Sequence, residues 1–573
     1  MKYTKVLGLA LATLAFGACS DEWDEHYDVK PVGTGESLWQ TISADAELSN
    51  FARVLEACGF DLTLKSPQVF TVFAPTNADL TDDQVNSLIE TYQAEKKDGI
   101  KDEDNRTIKE FVKNHIALYN HSVSSSTNDT LVMMNGKYLP FTPNSLGGKA
   151  FKTKNVHLSN GILFTMDEQL DYFSNVFEAL GKIEGLDSIA AFFYEYNEYK
   201  FMPEKSVPGG IVDGQTVYLD SVTELRNELF SMLGKIADED SSYVMVAPDN
   251  EDWNRMVEEY KEYFNYSQDI FAEPVVDELA LKKRDSLHHL MTRMAIVCGT
   301  VFSRTLNPNM EDSARSTNAV YHANRKYAYG DPNLHYYFYK KPYEVGGPFY
   351  GAVKTECSNG EVLKAYPWNL DKSQTFFQQI FVEAESRSYL AGVDDIEVTS
   401  ENPKTNVETY TVTEGHPLFN KISSNSFVTI TPTGAGAMPS VSYYLPDVLS
   451  NIPYDLYMVT LPATAVDTAA VESQKLPSIL KVNLIYKDEK GVKQDETLQA
   501  KIETAGGDKI DTLLLKENLV LPTCSYGLST PQVIVEMTSR VTNSQVNKKT
   551  HTRTLRVDCL ILKPREEGDT SNN

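Results

Sequence analysis

Residues Phe70–Leu80 read FTVFAPTNADL, an apolar run that breaks at once into Pro-Thr-Asn and a polar segment. The run from Val69 to Ala74 is rich in β-branched and aromatic residues, which suits a buried strand. Pro75 removes a backbone donor, and Asn77 suits the cap of a helix starting in the polar segment. The stretch therefore predicts a strand-to-helix corner in a core, not a pocket.

The corner occurs twice. Tyr243–Trp253 reads YVMVAPDNEDW and keeps Ala-Pro-x-Asn, and His157–Leu170 (HLSNGILFTMDEQL) is echoed by Glu356–Leu370 (ECSNGEVLKAYPWNL). In both echoes Ser-Asn-Gly predicts a tight turn feeding a strand, because Asn and Gly accept positive φ at little cost. Between these landmarks lie Ile108–Tyr119 and Leu287–Val297, each with apolar residues at helical spacing. Ahead of them, Glu36–Gly59 answers Ser174–Tyr196. Four landmarks in one order, twice, define an internal duplication.

Val72-Phe73-Ala74-Pro75-Thr76-Asn77, with Asn160-Gly161-Ile162-Leu163 and Met166-Asp167, resembles the two boxes of fasciclin-type domains. The resemblance covers 36–173 closely and 174–385 more weakly. In the second copy Asp249 replaces the threonine of the first box, and extra residues lie in Asn307–Tyr350. It implies helices clustered against a twisted β-wedge, and adhesion or partner binding in place of catalysis. Some animal members of the family use a Tyr-His pair for receptor adhesion. Asn114-His115 and Arg293-Met294 align with that pair here, so that contact is not expected. His115, between Val112 and Ile116 on an apolar helix side, is expected in the core, and no haem ligand stands out.

The chain opens with Lys2, Lys5 and an apolar run from Val6 to Phe16, too short to cross a bilayer, followed by Phe16-Gly17-Ala18-Cys19. This resembles the lipobox of bacterial lipoproteins, which implies acylation of Cys19 and lasting attachment to outer-membrane lipid. Ser20–Glu25 is similar to the acidic signal of Bacteroidota-type lipoproteins, which implies display on the cell exterior. Lys plus Arg total 53 against 80 Asp plus Glu, a formal charge of -27, which disfavours nucleic acid and anionic lipid as partners. Once Cys19 is acylated, Cys58, Cys298, Cys357, Cys524 and Cys559 remain. They show neither a disulfide framework nor metal-ligand spacing.

The insertion of the second copy, Ala323–Gly351, reads ANRKYAYGDPNLHYYFYKKPYEVGGPFYG. Its rigid amphipathic rings suit a recognition surface, and strand alternation sets His335, Tyr337 and Tyr339 opposite Tyr336 and Phe338. Tyr327, Tyr329, His335, Tyr337, Tyr339 and Tyr343 are the expected ligand or partner contacts; the alternative is that these rings close an extended wedge. From about Asp395 short alternating runs such as SFVTITP, YDLYMVTLPA and TLRVDCLILKP predict an antiparallel β-sandwich. Its pattern resembles galactose-binding-like jelly rolls, including carbohydrate-binding modules. The resemblance implies Tyr443, Tyr444, Tyr454 and Tyr457 as stacking residues, or else as core. The chain thus reads as α+β: signal 1–18, acidic leader 19–35, fasciclin-like domains 36–173 and 174–390, an all-β sandwich 391–565 and a polar tail 566–573.

No H-E-x-x-H, G-x-S-x-G, P-loop or Cys-x-x-Cys is present. His288 and His289 point about 100° apart on a helix and cannot chelate one metal from one face. Glu383 and Glu385 share a strand face and read as solvated side chains. The expectation is a protein without catalytic residues, cofactor or metal: a binding or accessory subunit beside a SusC/SusD-type TonB-dependent importer, capturing a glycan or peptide. The alternatives are an adhesin for host matrix or neighbouring cells and, last, an enzyme acting on surface polymers.

Overall fold

The computed structural model describes residues 35–212, 215–220, 223–272, 275–317, 337–385, 404–528 and 532–565. They form two compact units. One runs to Ser174 and includes Asn197–Asn227; the other holds Asn175–Tyr196 and the described residues from Glu228 on.

In the first unit α1 (Leu38–Ala44), α2 (Ser49–Ala57) and α3 (Phe60–Lys65) precede β1 (Phe70–Pro75) and α4 (Asp82–Lys97). A π-helical turn, Thr107–Val112, leads to β2 (Ile116–Leu118), so the helix expected through Tyr119 ends early and its last residues become strand. Then come β3 (Asp129–Val132), β4 (Tyr138–Phe141), β5 (Ser145–Leu146), β6 (Lys149–Leu158) and β7 (Gly161–Met166). The sheet order is β2-β1-β7-β6-β5-β4-β3, with β1 and β7 parallel. A parallel strand is covered on both faces, which explains the unbroken apolar run of β1. Phe70, Val72 and Ala74 join Phe51, Leu55 and Phe111 under the helices. Phe73 joins the core of the opposite face and stacks on Phe164 at 5.0 Å.

Two landmarks act differently from their local reading. Thr81, not Asn77, caps the helix after the corner. Asn77 turns back to the start of α2, where its Oδ1 accepts the Asn50 N–H at 3.1 Å, and to the turn before it, where its Nδ2 donates to Ala46 O at 2.9 Å. The Asn-Gly turn is a bolt between layers. Buried Asn160 accepts the Leu38 N–H at 2.8 Å and donates to Leu64 O at 2.8 Å and Ser66 O at 2.9 Å. Gly161, at φ 156°, lies so close to β1 that a Cβ would stand 2.1 Å from Phe70 O.

The second copy repeats this plan with α5 (Val176–Leu180) and α6 (Asp187–Tyr194). An excursion then holds β8 (Asn197–Phe201), β9 (Val207–Val212), β10 (Gln215–Asp220) and β11 (Thr223–Asn227), in which β9 pairs with β10 and β8 with β11. This segment groups with the first unit. After it come α7 (Leu229–Leu233), β12 (Tyr243–Pro248), α8 (Asn250–Tyr260), α9 (Glu278–Val297) and β13 (Val301–Ser303), then β14 (Ser313–Arg315), β15 (Phe338–Lys340), β16 (Val353–Cys357) and β17 (Gly360–Ala365). The order β13-β12-β17-β16 matches β2-β1-β7-β6. Register matches too, Tyr243 facing Gly360 as Phe70 faces Gly161. Asn359 repeats the bolt, accepting the Val176 N–H at 2.8 Å and donating to Ile236 O and Asp238 O at 2.9 Å.

The sandwich is antiparallel throughout. One sheet contains β18 (Ile380–Glu383), β19 (Thr405–Thr411), β20 (Ser426–Pro432), β22 (Pro453–Thr460), β25 (Asp511–Val520) and β27 (Leu555–Pro564); the other orders β21 (Ser440–Leu445), β26 (Val533–Ser539), β23 (Ile479–Lys487) and β24 (Lys493–Glu503). Because β18 pairs with β27, the sandwich begins before residue 391. Within this unit the strap after α8 is sewn to the sandwich. Tyr266 Oη donates to Tyr526 O at 2.7 Å, Cys524 N–H to Asn265 O at 2.7 Å and Ser450 Oγ to Glu262 O at 2.8 Å.

Candidate functional site

The tyrosine-rich insertion is core where it is described. Tyr337 and Tyr339 are 5% and 4% exposed, which corrects the expected stacking surface. Their rings cover Gly299, whose absent Cβ would sit 2.7 Å from Tyr337 Cδ2 and 2.6 Å from the Tyr339 hydroxyl. Burial pushes both phenols well above the usual tyrosine range. The strand alternation itself holds, with Phe338 turned outward. Tyr343 is 40% exposed and meets Phe349 edge-on at 4.9 Å. Tyr327, Tyr329 and His335, like Cys19, lie outside the described residues.

In the sandwich Tyr443 is fully buried and is core, while Tyr444 and Tyr457 are half-buried on β21 and β22. Tyr454 is also core, its hydroxyl accepting the Leu449 N–H at 3.1 Å. Glu383, read as solvated, is 5% exposed, because β18 joins the sheet with Glu383 facing Cys559. Ser423 serves two carboxylates there, its hydroxyl donating to Glu383 and its N–H to Asp558 at 3.0 Å.

A different place has the form of a site. The seven-stranded sheet wraps until its two edges, β2 and β3, meet at one bridge between Ala117 and Met133, where the Met134 N–H donates to Ile116 O at 2.8 Å. Beyond the bridge the edges part. Tyr119 adopts φ 67°, a left-handed conformation that costs a side-chain-bearing residue about 1–2 kcal/mol, and turns the chain away from β3. The conformation is clamped: the Tyr119 N–H donates to Val69 O at 2.9 Å, and buried Thr71 Oγ1 donates to Tyr119 O at 2.7 Å while accepting the His121 N–H at 2.9 Å.

The parted edges enclose a cleft of about 960 Å³. The Tyr119 ring stands in it 67% exposed. Asn120, His121, Ser122, Asn128 and Thr130 give the lining polar groups, and among the described residues Asp129 is its one carboxylate and no Lys or Arg lines it. Leu131, Met133 and Phe141 form a buried apolar floor. Residue reading missed this site. The available signal was the abrupt Asn120-His121-Ser122 after the apolar Ile116–Leu118.

Several other reactive groups among the described residues are engaged. His115 donates from Nδ1 to Phe111 O at 2.7 Å and accepts the Leu170 N–H on Nε2 at 3.0 Å; burial lowers its pKa to about 4. Asn114 beside it is buried, so this pair offers no external contact. Burial pushes the Cys58, Cys298 and Cys524 thiols up to about 12, away from nucleophilic chemistry. His288 and His289 diverge, the first lying 3.0 Å from Lys261 O and the second 2.8 Å from Glu195. Among the described residues no three His, Cys, Asp or Glu are grouped to hold a metal ion, and no helix is long and apolar enough to cross a membrane.

No curated protein matches the chain. Among solved structures it is similar to the xylanase 10B modules of Clostridium thermocellum, at 10% identity over 29% of this chain and a TM-score of 0.18; the match spans only 25% of that chain. A xylan-binding domain from Paenibacillus barcinonensis is 12% identical over 28% of this chain and 82% of its own, with a TM-score of 0.17. A FAS1 domain pair from the insect cell adhesion molecule fasciclin I is 11% identical over 57% of this chain and 98% of its own, with a TM-score of 0.18. Scores this low leave the domains to be described by their own strands and burial. In an otherwise mixed α+β chain, residues 46–171 match the fasciclin domain and form one.

Proposed function

We propose that the protein is a non-catalytic surface protein that captures a ligand in the Tyr119 cleft, anchored to the outer membrane through acylated Cys19 and working beside a SusC/SusD-type TonB-dependent importer. The observation that carries the binding role is Tyr119 itself. An exposed ring is held in a costly backbone conformation by a buried threonine, and strain kept where packing gains little points to function. A fasciclin domain fits binding or adhesion. The lipobox-like Phe16–Cys19 and the acidic Ser20–Glu25 support outward display.

Gentle detergent extraction of the tagged protein from its native outer membrane, followed by mass spectrometry of what stays attached, tests the assignment. A stoichiometric importer pair is the expected result. A protein recovered reproducibly alone sinks the importer role and favours the adhesin, to be tested on host matrix and on neighbouring cells.

A further inference from the structure

We infer that the ligand of the Tyr119 cleft is a neutral oligosaccharide, an inference that rests on the binding role proposed above for that cleft. An exposed phenol ring offers a flat apolar face with a polar tip, the chemistry that receives the C–H face of a sugar while its hydroxyls reach outward. Those hydroxyls find partners around the ring. Asn120, Ser122, Asn128 and Thr130 are exposed, and their side chains make no hydrogen bond within the protein among the described residues, so their donors and acceptors are open to a ligand.

Charge narrows the class. Among the described residues the lining holds Asp129 and no Lys or Arg, on a chain of formal charge -27, so phosphates and uronates are repelled. Size fits as well, since about 960 Å³ lies at the upper end of the roughly 300–1,000 Å³ range of small-ligand sites. A peptide adding itself as a strand is less well served. The edge of β3 is four residues long and is tied off at Met133, which leaves little ladder for backbone pairing.

The test is calorimetric titration of the full chain with xylohexaose, cellohexaose, maltohexaose, laminarihexaose and mannohexaose, beside hexagalacturonate and a pool of random decapeptides. At least one neutral hexaose should bind. Tyr119→Ala should weaken it about tenfold or more, with the thermal midpoint unchanged because the ring is exposed, whereas Tyr119→Phe retains binding. Absence of binding by every neutral hexaose overturns the inference. Hexagalacturonate or peptide binding that is lost in Tyr119→Ala also overturns it, while leaving the cleft as the binding site. Sugar binding untouched by Tyr119→Ala overturns both the inference and the role proposed for the cleft.

Discussion

The two copies of the α/β domain share four strands in one order and one register, yet among the described residues the first alone extends that sheet, by β5, β4 and β3. In the first copy the added strands bring the sheet round to β2 and leave a cleft where the edges part. In the second, described residues between β13 and β16 form the β14–β15 pair, and Tyr337 and Tyr339 fill the space over Gly299. The difference separates what makes the fold from what makes a site. The Pro-Asn corner and the Asn-Gly bolt are kept in both, whereas the elements appended to them decide whether a surface is open or filled. Abundant aromatics mark packing here, whereas one strained, exposed tyrosine carries the proposed binding role.

The shared bolt breaks hardest at its glycines. Gly161→Ala and Gly360→Ala place a Cβ 2.1 Å and 1.8 Å from the facing carbonyl oxygens. Each should cost its own copy about 4 kcal/mol or more, read in urea unfolding, and leave the other unit's transition in place. Asn160→Ala and Asn359→Ala each strip three hydrogen bonds from a buried side chain, and a loss of about 3 kcal/mol is expected in the same measurement. Equal effects in both copies would sharpen the comparison; a tolerated substitution in either would break it.

Acid should distinguish the copies, because Met294 of the second stands where the first has His115. Its folded pKa is lowered from 6.5 to about 4 by burial, so the unfolded chain takes up the proton first. Its contribution is complete above pH 6.5, is lost as the pH falls towards 4 and changes no further below. Over that window the first unit should lose about 3 kcal/mol, and His115→Gln should remove this slope from a series of denaturant titrations. A smaller effect is expected from Thr71→Val, which leaves the Tyr119 carbonyl and the His121 N–H without their clamp. Stability should fall by about 1–2 kcal/mol, and ligand binding should weaken with it.

Much of this architecture was legible because it is periodic. The apolar run of β1, the repeated corner, the alternation that turns Phe338 out and Tyr339 in, and the antiparallel runs of the sandwich are all local patterns. What escaped depends on contacts distant in sequence. Asn160 looks like a turn residue until its bond to Leu38, 122 residues away, is known, and Glu383 looks solvated until β18 meets β27. The cleft escaped for the same reason. Tyr119 is held in its left-handed conformation by Thr71, 48 residues earlier, and the polar Asn120-His121-Ser122 that follows it signals a break in the strand but not that contact.

Thermal unfolding of Tyr119→Gly, followed together with ligand binding, tests most directly whether that strain is kept for function. Glycine adopts φ 67° without strain and loses little packing where the ring was exposed, so the first unit should gain about 1 kcal/mol while binding disappears. A lower midpoint, or binding that survives the loss of the ring, would contradict the account and return Tyr119 to the scaffold.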